Sequence, residues 1–142
     1  RGKLIPFLEK KSYKGKPLID YLGGWMKKAL PLRGKKLVAY HKNWSYFTGL
    51  VGLEIIGYME PKPGIPPTPG HVASVIDKMK KGNIKVMLAA NYFDVGKVKM
   101  VANRVDATPV IIALAPGGEP GMNTFFDQFD IWIERLIKAF EK

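Results

Sequence analysis

Cysteine is absent from the 142 residues, which excludes disulfides and thiolate metal sites and leaves the compartment open. Histidine is almost as scarce, with only His41 and His71. No apolar run approaches the roughly 18 residues that a membrane-spanning helix needs. An initiator methionine and a signal-peptide pattern are missing too, so a chain opening at Arg1 reads as a processed or truncated piece. No Gly-x-Ser-x-Gly elbow, His-Glu-x-x-His pair or Gly-x-x-x-x-Gly-Lys-Ser/Thr loop occurs, and no acid–base or nucleophile constellation supports an enzyme. A phosphoacceptor domain would need carboxylates where the first and third strands end; His41 and Ala89 stand there instead.

Acidic residues are few at the start of the chain. Residues 1–42 carry twelve Lys/Arg against Glu9 and Asp20, a net +10 of the total +11. Residues 43–142 hold eleven Lys/Arg and ten acids and are nearly neutral. The basic excess therefore belongs to a leading segment, where a solvated Lys-rich face is the plain reading and nucleic acid is not expected. A binding module for an anionic partner is the competing one.

What is present is an ordinary globular balance, 46% hydrophobic and 25% charged, in a length that fits one domain. Pro17 and the spacing of Leu18, Tyr21, Leu22, Trp25, Met26, Ala29 and Leu30 predict an amphipathic helix over 17–30, weakened by Gly23-Gly24 and ended by Pro31. Residues 1–16 receive no firm structure. From Lys36 the chain alternates strand and helix. Strands are predicted at Lys36–His41, Leu53–Tyr58, Ile84–Ala89 and Pro109–Leu114. The helices between them open at Asn43, at Thr68-Pro69 and at Asp94. A last helix opens at Asn123 or Thr124 and carries Phe125, Phe126, Phe129, Trp132, Ile133, Leu136, Ile137 and Phe140 on its apolar face. This alternation predicts an α/β fold, a four-stranded parallel sheet with helices on both faces, over residues 35–142 after a basic leading segment, 1–34.

In such sheets ligands bind outside the carboxyl ends of the strands. The rim is then built by His41–Asn43, Met59–Thr68, Ala90–Asp94 and Ala115–Thr124, bringing His41, Glu60, Asp94, Glu119, Tyr46 and Tyr92. Neutral imidazole is a common ligand for transition metals, and a hydrogen-bonded structural histidine is the plain alternative for His41. His71, in the first turn of a capped helix, reads as an exposed residue. The Gly117-Gly118-Glu119-Pro120-Gly121 loop reads as a turn, since Glu119 would repel phosphate.

Several stretches together resemble a known family. Leu37-Val38-Ala39-Tyr40-His41, Gly52-Leu53-Glu54-Ile55, Pro66-Pro67-Thr68-Pro69, Ala89-Ala90-Asn91-Tyr92-Phe93 and the Phe125–Phe140 helix are similar to the C-terminal lobe of the cluster A-I substrate-binding proteins of zinc and manganese ABC importers. The resemblance implies two α/β lobes joined by a long helix, with a divalent metal held between them. It also implies a periplasmic or extracellular location, an ABC permease as partner, and any lipid anchor upstream of Arg1. By motif His41 matches the histidine that this lobe supplies, and an N-terminal lobe would supply the other ligands. The family's Leu-Asp-Pro carboxylate is replaced by Leu114-Ala115-Pro116. Glu119, a water or a three-ligand site could fill that place, and a relative that has lost its metal is a further reading. Loss of the carboxylate tilts the expected cargo to zinc over manganese.

Overall fold

The computed structural model describes residues 4–142. Arg1 and Lys3, both part of the basic excess, lie outside the described residues. The leading segment holds a short helix, α1 (Leu4–Lys10), and a small antiparallel hairpin, β1 (Ser12–Tyr13) and β2 (Lys16–Pro17). Its turn is Lys14-Gly15, both at positive φ (46° and 77°), the backbone that two-residue hairpin turns require.

The helix expected over 17–30 is broken. Pro17 lies in β2, Leu18–Tyr21 is a 3-10 turn, and only α2 (Gly24–Lys28) is α-helical. Gly23-Gly24 is the physical reason, since Gly23 is fully extended and Gly24 takes φ +50°, where a side chain would be strained. The stripe still packs. Of its residues Ala29 is buried in the main core and Trp25 lies against the last helix, while Tyr21 is exposed; Leu32, just beyond the stripe, is buried too.

The body runs β3 (Lys36–Ala39), α3 (Ser45–Val51), β4 (Glu54–Tyr58), α4 (Pro69–Lys81), β5 (Val86–Ala90), α5 (Val95–Asn103), β6 (Thr108–Ile112) and α6 (Phe125–Phe140). Three helix starts are fixed by side chains, as their sequences predict. Thr68 accepts from His71 N–H, Asp94 accepts from Lys97 N–H, and Thr124 forms a reciprocal capping box with Asp127. The start at Asn43 differs. His41 is the extended residue before a 3-10 turn, Lys42–Trp44, that leads into α3, and Asn43 is part of that turn.

All four body strands are parallel, in the order β4-β3-β5-β6. The two inner strands are the most apolar; every residue of β5 is buried, as are Leu37, Val38 and Ala39 of β3. One sheet face is covered by α3 and α6 around Leu37, Leu88, Trp44, Trp132 and Leu136. The other is covered by α4 and α5 around Val38, Met87, Ile76, Met79 and Val98. On α6 the buried positions are Gln128, Trp132, Ile133, Leu136 and Ala139. Phe125 and Phe126, expected on the apolar face, stay exposed, because in the first turn of α6 they pack against Trp25 of α2 rather than into the core.

The chain passes from β3 outward to β4, then crosses back to β5 on the other side of β3. The loop leaving β3 enters α3 on one face and the loop leaving β5 enters α5 on the other. The two loops diverge at the carboxyl ends of their strands, the topological switch point at which open α/β sheets bind ligands.

Candidate metal centre

His41 stands at that switch point, two residues beyond β3. The register pairs Ala39 with Tyr58, and the ladder continues past both strands, with Met59 N–H donating to the Ala39 carbonyl (2.9 Å) and Glu60 N–H to the Tyr40 carbonyl (3.0 Å). Two steps beyond the paired residues therefore bring His41 and Glu60 level. The His41 Nδ1–H donates to Glu60 Oε2. Both side chains are largely shielded, at 24% and 11% exposure. The His41 Nε2 has no hydrogen-bond partner among the described residues.

Aromatic rings wall the pair. Phe93, from the loop after β5, lies 5.6 Å from the His41 ring and stacks on Tyr40 at 4.5 Å. Tyr92 packs on Phe93 at 4.5 Å, and its hydroxyl accepts from Asn43 Nδ2 at 2.9 Å, tying the two diverging loops together. Burial, and then the negative charges of Glu60 and Asp94, push the Tyr40 phenol above its ordinary value.

Other rim residues are committed elsewhere. Glu119 lies in an ion pair with Arg135 of α6 (2.5 Å), and its other oxygen accepts from Ala113 N–H (2.9 Å). Asp94 caps α5 and pairs with Lys97. His71 is partly buried rather than exposed, its Nε2–H donating to the Tyr58 carbonyl (3.0 Å), which pins α4 to the end of β4. Ala115 is exposed and its side chain has no ligating atom. Among the described residues no three His, Cys, Asp or Glu side chains gather as a metal cage.

Sequence reasoning placed Glu60 on the rim without pairing it to His41. The available signal was positional, since each residue follows its strand by the same offset. Using it requires knowing that β3 and β4 are neighbours in parallel register, and that the irregularity between Leu37 and Val38 shifts the pairing.

The fold matches one lobe of solved metal-binding proteins. Manganese-bound FpvC from Pseudomonas aeruginosa superposes with a TM-score of 0.65 at 18% identity, over 82% of this chain and 46% of that one. The periplasmic metal-binding protein of Candidatus Liberibacter asiaticus gives 0.63 at 14% identity, over 81% and 44%. The crystal structure of ZnuA gives 0.63 at 19%, over 81% and 40%. The chain spans less than half the length of these structures. No curated protein matches it in sequence. Residues 16–139 match the family model described as zinc-uptake complex component A, periplasmic (ZnuA), and the chain belongs to that family. The family and these neighbours are substrate-binding proteins, not enzymes.

Proposed function

We propose that this lobe presents one imidazole, the Nε2 of His41, to a divalent transition metal captured outside the cytoplasmic membrane for an ABC importer. The observation that carries the reading is the His41–Glu60 pair at the sheet's topological switch point, with Nδ1 engaged and Nε2 without a partner among the described residues. A ligating histidine commonly donates its second ring N–H to a carboxylate. The donor set fits a borderline metal. Imidazole nitrogen without a carboxylate at position 115 favours zinc over manganese, which prefers oxygen. We assign residues 35–142 to the metal-presenting lobe and residues 1–34 to a basic segment that braces it through Ala29 and Leu32.

One imidazole holds a metal weakly, so a second lobe would supply the remaining ligands. Binding then couples to closure, because the ion gains its full ligand set only when both lobes meet around it. Glu119 is not included in the set, since moving it to a metal would break its pair with Arg135.

Titrating the two-lobed protein with Zn²⁺ and with Mn²⁺ against a competing chelator, at low and at high salt, tests this reading. The expected result is a single metal ion bound, zinc over manganese, with little dependence on salt. Indifference to metal, together with salt-sensitive binding to a polyanion such as heparin, would replace it with the anionic-partner reading of the leading segment.

A further inference from the structure

Of the part-buried carboxylates described, Glu119 and Asp130 are ion-paired with Arg135 and Lys28, and Asp127 closes the cap of α6. Glu60 alone faces a histidine, although the chain carries 23 Lys and Arg side chains. Its backbone is held on both sides. Fully buried Met59 precedes it, its own N–H bonds the Tyr40 carbonyl, and Pro61 fixes the exit. The ring it meets is held against Phe93.

We propose that Glu60 is a positioning residue that keeps His41 in the Nδ1–H form and leaves Nε2 as a bare lone pair for the cargo ion. The zinc arm of this inference rests on the proposed ligand role of His41; the tautomer arm does not. A neutral imidazole free in water prefers its proton on Nε2, where it would block a metal. A carboxylate accepting at Nδ1 reverses that preference and orients the ring.

The chain contains its own control. His71 donates from Nε2 to the Tyr58 carbonyl, the opposite tautomer, and it is the only other histidine. Imidazole ¹⁵N NMR of the metal-free chain, at a pH where both rings are neutral, therefore reads two signals of opposite kind. His41 is expected as Nδ1–H and His71 as Nε2–H. Glu60→Leu removes the acceptor and should return His41 to mainly Nε2–H without moving His71. Glu60→Gln keeps an acceptor oxygen and should keep Nδ1–H. If leucine also shifts His71, Glu60→Ala carries the comparison.

His41 found as Nε2–H in the wild type, or unchanged when the acceptor is gone, overturns the proposal. Zinc added to the two-lobed protein should move the His41 Nε2 signal, and Glu60→Leu should weaken zinc binding about 10–100-fold. Zinc that moves neither nitrogen defeats the ligand reading, while the tautomer result still decides the role of Glu60.

Discussion

Trp132→Ala is expected to destabilise the fold by about 3–5 kcal/mol, the range for removing a large buried aromatic side chain. Trp132 lies where α6 meets the sheet, edge-to-face with Trp44 (4.9 Å) and Phe47 (5.1 Å) and stacked on Phe129 (5.5 Å). Its indole N–H donates to the Ala113 carbonyl at 2.8 Å, so alanine also strands an acceptor beside the last strand. Against a typical total of about 5–15 kcal/mol, such a loss removes a large part of the margin. Trp132→Phe keeps much of the packing and should cost about 1–2 kcal/mol, mostly the hydrogen bond. Urea midpoints at constant slope separate the two. A loss below about 1 kcal/mol for alanine would mean that this cluster does not anchor α6. The consequence reaches the site, because Trp44 ends the short turn that begins just after His41.

Gly118→Ala should cost about 1–3 kcal/mol, the usual range for overpacking. A Cβ there would stand 2.6 Å from the Ala113 Cβ and 3.0 Å from the Ala115 carbonyl. Neither neighbour can yield easily. Ala113 is fully buried behind β6, and Ala115 O accepts the Gly118 N–H at 3.1 Å. The same loop is held to the end of β5 by Asn91, whose amide donates to Gly118 O at 2.8 Å, and to α6 by Glu119 and Arg135. A lower thermal midpoint with faster amide exchange over residues 115–122 is the expected signature. Gly70→Ala, in the first turn of α4 with no atom within 4 Å of the new Cβ, is the matched control and should be neutral or slightly stabilising. Equal effects of the two substitutions would contradict the close approach.

Much of this architecture was legible in the chain. Val-, Ile- and Ala-rich runs marked the strands. Thr68, Asp94 and Thr124 marked helix starts because each places an oxygen where the first free N–H groups need one. Local signals misled where a neighbouring interaction outweighed them. Apolar spacing over 17–30 looked helical, yet two glycines and the preceding hairpin divided it. Phe125 and Phe126 fit the stripe of α6 but stay exposed against Trp25.

At the site, His41 could be placed at a strand end from its surroundings alone. Its partner could not, since choosing among Glu60, Asp94 and Glu119 depends on strand order and on the rotation of α6. Neither is written in any local window. The structure gives Glu119 to Arg135 and Glu60 to His41, two pairings of like residues with different consequences. One fastens a loop. The other prepares an imidazole.

Zinc affinity of a protein that carries this lobe together with the proposed second lobe, wild type against His41→Ala, measured by competition with a chelator, tests the central claim most directly. The account predicts one tightly bound zinc in the wild type and at least a ten-fold loss in the variant, more than about 1.4 kcal/mol. Undiminished zinc binding by His41→Ala would contradict it.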